Sequence, residues 1–413
     1  MPFRKRALTV AHILFRCLLG CLSVGCPSLR PGASPPMAGN AATGDQGLST
    51  SERQRGCPER VFEGDCTVTD QASLEALAQY TRIAGDLLIA DTHLDRMDSL
   101  RCLREVSGDV VLTGNDRLAN LDGLSHLTSV GGLHLLTNDG VRNVDGLRGL
   151  VAIGRSLYLE GNPQLVNVDG LAGVRSVGDA INIEENDSLL SIDGLRSLSS
   201  VPGFLFITGN DALSSLDGLS SVSSVHGNLF IDRNSALTDL GGLSALASVG
   251  ESLSISDNAL LPTLDGLGHL ESIGRDLTIM SDGSLVNIDG LSHLTSIGGY
   301  VTIGRNTALT NIGGLNHVTS IGGFLLLREN AALTNVDGLS GITSIGGYVD
   351  IGENDVLANL DGLRALLSVR GGLTVELNGA LATCAVEALV ARLRSNGWTD
   401  EAVIAGNGAG ACP

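Results

Sequence analysis

The chain has 413 residues, of which 43% are hydrophobic, only 3% are aromatic and 55 are glycine. That hydrophobic content excludes a disordered chain, and a formal charge of −19 argues against nucleic-acid binding, because such a surface repels phosphates. Two or three globular domains would be the default at this length, but an internal repeat overrides that expectation.

At the N-terminus, Arg4, Lys5 and Arg6 precede an apolar stretch from Ala7 to Phe15, the arrangement of an export signal. Two lipobox-like sequences follow, Leu18-Leu19-Gly20-Cys21 and Ser23-Val24-Gly25-Cys26. Cys21 and Cys26 are therefore candidate lipid acceptors, and only the first has Leu three residues before it. A cleaved signal without lipid is the alternative. Arg16 interrupts the apolar run well short of the ~20 residues a membrane span needs. Removing residues 1–25 takes away four cations and no acid, which leaves −23. Residues 27–55 hold Pro27, Pro31, Pro35 and Pro36 among Gly, Ala and Ser, a tether composition expected to be disordered.

Cys57 and Cys66 flank a short loop, and Cys66 sits in the inward phase of an expected first strand. An exported chain would oxidise such cysteines. We expect a 57–66 bridge that leaves Cys102 unpaired; a 66–102 bridge stays open, since spacing does not fix connectivity. No Cys-x-x-Cys or His/Cys cluster marks a zinc site, and neither metal nor cofactor is expected.

From Ile153 the same apolar position recurs every 24 residues at Val177, Val201, Val225, Val249, Ile273, Ile297, Ile321, Ile345 and Val369. Upstream, Val130, Val106 and Ile83 continue the series with one-residue adjustments. Such a period marks a solenoid, whose units bury their apolar faces only by stacking. In the unit beginning at Leu285, Val301 and Ile303 alternate with variable residues, the period-2 signature of a strand with one buried face. Leu285, Ile288, Leu291, Leu294 and Ile297 are spaced by three, so that side should turn like 3₁₀ segments. Gly298 and Gly299 are expected to supply φ freedom at the corner. Each unit offers seven large aliphatics, worth about 1.5–3 kcal/mol apiece when buried. Ordering the unit's backbone costs at least as much, so a lone repeat should not fold.

Asn follows the strand at 115, 138, 162, 186, 210, 234, 258, 306, 330, 354 and 378, and Asp282 is the single exception. A column of inward Asn side chains would bond the backbone of adjacent turns, whereas Asp keeps the acceptor and loses the donors. The pattern L-x-I-x-x-N-x-x-L-x-x-L-D-G-L-x-x-L-x-x-I-G-G, running from about Cys66 to Asn378, resembles the receptor L domain, the leucine-rich module of growth-factor-type receptors. It is similar as well to repeats in fungal GPI-anchored cell-wall proteins and bacterial surface lipoproteins. The resemblance implies a right-handed parallel β-helix and a surface location; it names no ligand.

Beyond Asn378 the pattern breaks into Ala385-Val-Glu-Ala-Leu389-Val-Ala-Arg-Leu393, expected to be an amphipathic capping helix pinned by a Cys384–Cys412 disulfide. The expected organisation is a signal and lipobox at 1–26, a tether at 27–55 and an N-terminal cap with irregular turns at 56–105. The repeat solenoid would cover 106–378, and a helical, disulfide-bonded cap 379–413.

Three columns are functional candidates. Asp before Gly recurs from Asp122 to Asp361, with Gly241 and Gly313 replacing it; an Asx bond capping the following bend would explain it. Calcium wants 6–8 oxygens, more than one carboxylate per coil provides. His269, His293 and His317 share another column and read as exposed polar positions rather than a metal ladder. Aromatics are the most informative set. Tyr158, Phe204, Phe206, Phe230, Tyr300, Phe324 and Tyr348 fall in outward strand phases, where rings either grip a ligand or stack on one another and stiffen the sheet.

The unbroken spacing from 153 to 369 leaves no insertion to wall a catalytic cleft, and no paired acid/base motif stands outside the repeat. We therefore expect a non-enzymatic, exported scaffold at the cell surface, outer membrane or periplasm, held to the membrane by its N-terminal lipid. Its expected partner is a cell-envelope glycan or surface protein, bound through Phe204, Phe206, Phe230, Tyr300, Phe324 and Tyr348. A purely structural envelope or coat protein is the alternative, and a polysaccharide-acting β-helix enzyme a remote one.

Overall fold

The computed structural model describes residues 57–409; the lipidation candidates Cys21 and Cys26, the tether at 27–55 and Cys412 lie outside the described residues. The coil that starts at Leu285 shows how the repeat folds. Leu285, Ile288, Leu291, Leu294, Ile297, Val301 and Ile303 all point inward and are at most 4% exposed. Val301–Gly304 is a strand lying parallel between Leu277–Met280 and Leu325–Arg328, with Val301 opposite Leu277 and Leu325. The 24-residue step repeats this register without slip from Leu157 to Leu373. A shift of one residue would turn every inward side chain outward, so the core itself fixes the register.

A second parallel sheet of eight two-residue strands runs from Ser200–Val201 to Ser368–Val369. Three-residue 3₁₀ turns, from Asp98–Leu100 to Asp361–Leu363, close the remaining side of each coil. The molecule is a parallel β-solenoid with a C-terminal helical cap. Among the described residues, no helix is long and apolar enough to cross a membrane.

The glycine pair before the strands Val301–Gly304, Leu325–Arg328 and Val349–Gly352 has a different basis from the one the sequence suggests. Neither Gly298 nor Gly299 has a positive φ. A Cβ on Gly298 would overlap the Gly274 carbonyl oxygen, and one on Gly299 would overlap Asp276 Oδ1. Close approach of successive coils demands glycine here. The left-handed residue is instead the one before each ladder Asn, such as Arg305 (φ 58°) and Glu329 (φ 59°). That reversal breaks the strand's alternation and turns the next residue into the core.

From Asn115 to Asn378 the column is asparagine in every coil except at Asp282, and every member is fully buried. Asn210 Nδ2 donates to the carbonyl oxygens of Ile183 (2.9 Å) and Thr208 (3.3 Å) and to Asn234 Oδ1 (3.3 Å). Its own Oδ1 accepts from the backbone N–H and Nδ2 of Asn186, both at 3.2 Å. The side-chain oxygen thus takes the Asn186 N–H at the corner, and the amide adds a second bond to carbonyls such as that of Thr208, which also accepts from the Glu185 N–H at 3.0 Å.

Both ends carry caps. Helix α1 (Gln71–Ala76) starts on a capping box between Asp70 and Ser73 and buries Leu74. Helix α2 (Thr383–Ser395) buries Val386, Leu389, Val390 and Leu393. Trp398 follows it, donating from Nε1 to the Gly371 carbonyl oxygen at 3.0 Å. Past the helix the chain returns as a further strand, Ala402–Ala405, parallel to Leu373–Glu376. Asn407 extends the ladder by accepting from the Asn378 N–H and Nδ2, both at 3.1 Å. The segment expected to be only a cap therefore contains a coil with a helix inserted. Cys384 is disulfide-bonded.

At the other end the bridge joins Cys57 to Cys102, with Cα atoms 5.6 Å apart. The expected 57–66 and 66–102 pairings are both displaced. Cys66 is buried in the strand Cys66–Val68, in register with Leu87, while Cys57 lies ahead of the first strand. The bridge closes a separation of 45 residues, for which chain-entropy scaling gives roughly 4 kcal/mol. We expect the Cys57→Ser/Cys102→Ser variant to lower the urea midpoint and to speed amide exchange most in the coils before Asn115. Uniform exchange along the chain would contradict this.

Candidate functional site

The outward face of the long sheet is ruled into columns, because each strand residue lies beside its equivalent one coil away. Tyr158, Phe206 and Phe230 belong to one column, and Phe204, Tyr300, Phe324 and Tyr348 to the column two residues earlier. The structure gathers these residues into two groups. In one, Tyr158 lies 6.2 Å from Phe204, Phe204 4.2 Å from Phe206, and Phe206 4.6 Å from Phe230 with planes 3° apart. In the other, Tyr300, Phe324 and Tyr348 follow at 4.6 and 4.7 Å with planes 4° and 8° apart. Side-by-side coplanar rings would collide at such separations, so these rings are stacked face on face.

This stacking alters what the face offers. Six of the seven rings are half-buried, and only Tyr348, at 42%, is exposed. Both faces of Phe324 are covered by its neighbours, and the surface presents ring edges. A polar stretch separates the groups: Ser252 N–H donates to Asn228 Oδ1, Ser252 Oγ to Asp276 Oδ2 and Tyr300 N–H to Asp276 Oδ1, each at 3.0 Å.

His134, which the sequence reading did not single out, extends the first group. Its ring centroid lies 4.8 Å from that of Tyr158, it is 7% exposed, and its Nδ1 has no partner. Burial pushes its pKa below the ordinary value, opposed by Asp109. The signal was available, since His134 stands one repeat before Tyr158 in the same strand phase. Burial also raises the Tyr158 hydroxyl and the Asp232 carboxyl above their ordinary values.

Further along the same face, Arg328 reaches across three coils. Its Nε donates to Asp350 at 2.9 Å and its Nη1 to Glu353 at 2.8 Å, and its Nη2 meets Glu376. Gly352 makes room, because a Cβ there would press on the guanidinium. A shallow acid-lined recess beside it, formed by Glu329, Glu353, Asp355 and Leu377, lies at the corner rather than on the aromatic columns.

The Asp-Gly column has a structural basis, although not the expected one. The Asx bond comes from the residue two places before the Asp: Asp169 N–H donates to Asn167 Oδ1 at 3.2 Å. Where Gly replaces Asp, Gly241 N–H still donates to Asp239 and Gly313 N–H to Asn311, both at 2.9 Å. Since the backbone supplies the donor, the Asp side chain is dispensable there. Two of these carboxylates, Asp145 and Asp361, pair with Arg148 and Arg364 at 2.9 Å. His269, His293 and His317 are exposed on the outer bend. Among the described residues, no group of three or more His, Cys, Asp or Glu side chains is arranged to hold a metal ion.

The fold and this face define a capped parallel β-solenoid that carries an aromatic ladder on its long sheet. No protein-family model matches the chain, and no curated protein matches it significantly.

Proposed function

We propose that this chain is a non-enzymatic binding scaffold, exported and lipid-anchored at the cell surface, that takes a protein partner across its long sheet. The observation that carries the reading is the triplet Tyr300, Phe324 and Tyr348, three rings stacked in successive coils on the outward face of the long sheet. Stacked rings leave edges outward. Edges suit the side chains of a packed protein surface, whereas a sugar ring seeks a free aromatic face, so the stacking favours a protein over an envelope glycan. Export and anchoring rest on the basic and apolar N-terminal run with Cys21 and Cys26, and the surface setting agrees with the receptor-L-like repeat.

The competing reading, a purely structural envelope component, draws on the same stacking as a device that stiffens the sheet. A Tyr300→Ser/Phe324→Ser/Tyr348→Ser variant separates the two. We expect immobilised variant protein to retain less than about a tenth of the surface protein that the wild type retains from envelope extract, a loss of at least ~1.4 kcal/mol, while the chain stays folded with a melting temperature lowered only by the loss of two stacked ring pairs. Equal retention would leave the structural reading standing. Selective loss of binding on a glycan array would transfer the site to sugars.

A further inference from the structure

The asparagine ladder contains one acid. Asp282 Oδ1 accepts from the Asn258 N–H at 2.7 Å and from Asn258 Nδ2 at 3.3 Å, as an Asn oxygen would, and the Asp282 N–H donates to Asn306 Oδ1 at 3.0 Å. Its other oxygen, Oδ2, is buried and has no partner. In adjacent coils the atom at that place is an amide nitrogen donating one coil back, from Asn258 to the Ile231 carbonyl at 2.8 Å and from Asn306 to the Ile279 carbonyl at 3.0 Å. By the same register, Oδ2 of Asp282 confronts the carbonyl of Ile255, with Asn306 Oδ1 beside it. A carboxylate there sets lone pairs against lone pairs, and only a proton turns Oδ2 into the donor that the site lacks.

We propose that Asp282 is a proton-operated closure of the ladder: protonated on Oδ2 it donates to the acceptor that the missing amide would have served, and on losing that proton it loosens the joint between the coils on either side. The surrounding charges agree. Asp232 and Asp257 act on it, and both favour the proton. The cations on neighbouring corners turn elsewhere, Arg233 to Glu184 at 3.6 Å and Arg305 to Glu329 at 3.1 Å.

Burial pushes this carboxyl up to about 7, whereas in the unfolded chain it titrates near ~3.9. Below the lower value both states hold the proton and the closure contributes fully. Between the two values only the unfolded state releases it, so stability falls as pH rises, the folded-to-unfolded ratio dropping about tenfold per pH unit at most. Above about 7 both states are ionised and the dependence ends.

The test compares melting of the full chain and its Asp282→Asn variant, which carries the residue of the neighbouring coils, from pH 4 to 8.5. The melting-temperature gap in favour of Asp282→Asn should widen from pH 4 to about 7 and then stay level. Amide exchange around 277–306 should be faster in the wild type than in the variant at pH 8, and equal at pH 4. A gap that is constant across the range would overturn the proposal. A second variant, Asn234→Asp, should import the same pH dependence into a coil that lacks it; folding with no such dependence would likewise overturn it.

Discussion

Replacing Asn210 with Ala should destabilise the solenoid by about 3–5 kcal/mol, a large effect for a single polar side chain. The change removes Oδ1, which serves two donors of Asn186, and Nδ2, which serves the carbonyls of Ile183 and Thr208 and the next Asn. All these groups are at a corner closed to water, since Asn210 is 0% exposed. A buried polar group left without a partner costs about 1–3 kcal/mol. Urea unfolding followed by circular dichroism gives the size, and amide exchange should localise the loss to the coils between Asn186 and Asn234. Asn210→Asp should cost less at pH 5 than at pH 8, because a protonated carboxyl restores one donor. If Asn210→Ala shifts the midpoint no more than an exposed Ser→Ala control, the column does not hold the coils together.

The second large effect is expected at Gly218, in the 3₁₀ turn Asp217–Leu219. A Cβ there would overlap the carbonyl oxygen of Ile192 in the preceding coil. That oxygen belongs to the backbone and cannot swing aside as a side chain would. Equivalent glycines, from Gly123 to Gly362, meet the preceding coil in the same way. We expect Gly218→Ala to cost at least about 3 kcal/mol, at the upper end of over-packing effects. Gly283→Ala provides the contrast: the nearest atom to its added Cβ is Thr307 Oγ1 at 3.8 Å, and the change should stay within about 0.5 kcal/mol. Matching melting curves for the two variants would refute close coil contact as the reason for the glycine column.

Much of this was legible in one dimension. A strict period states which residues share a column, and alternation within four residues states which of them face inward. The buried set Leu285 to Ile303 and the ladder from Asn115 to Asn378 follow directly from those two facts. The coil at Ala402–Ala405 was harder to see, because helix α2 lengthens the step from Asn378 to Asn407 to 29 residues. Its signal was local: Ile404-Ala405-Gly406-Asn407 repeats the form of Ile207-Thr208-Gly209-Asn210.

What the amino-acid order determined, then, was the stacked architecture, its core and the placement of the rings on one face, since a repeat that buries its aliphatics only against its copies has one way to satisfy them. Tertiary structure alone decided which cysteines meet, because Cys57 and Cys102 are brought together by the winding of two coils rather than by spacing. It also decided that the rings cover one another and that Oδ2 of Asp282 is buried without a hydrogen-bond partner. Orientation around a side-chain bond and the identity of a neighbour one coil away are set by packing, and neither is written in the period.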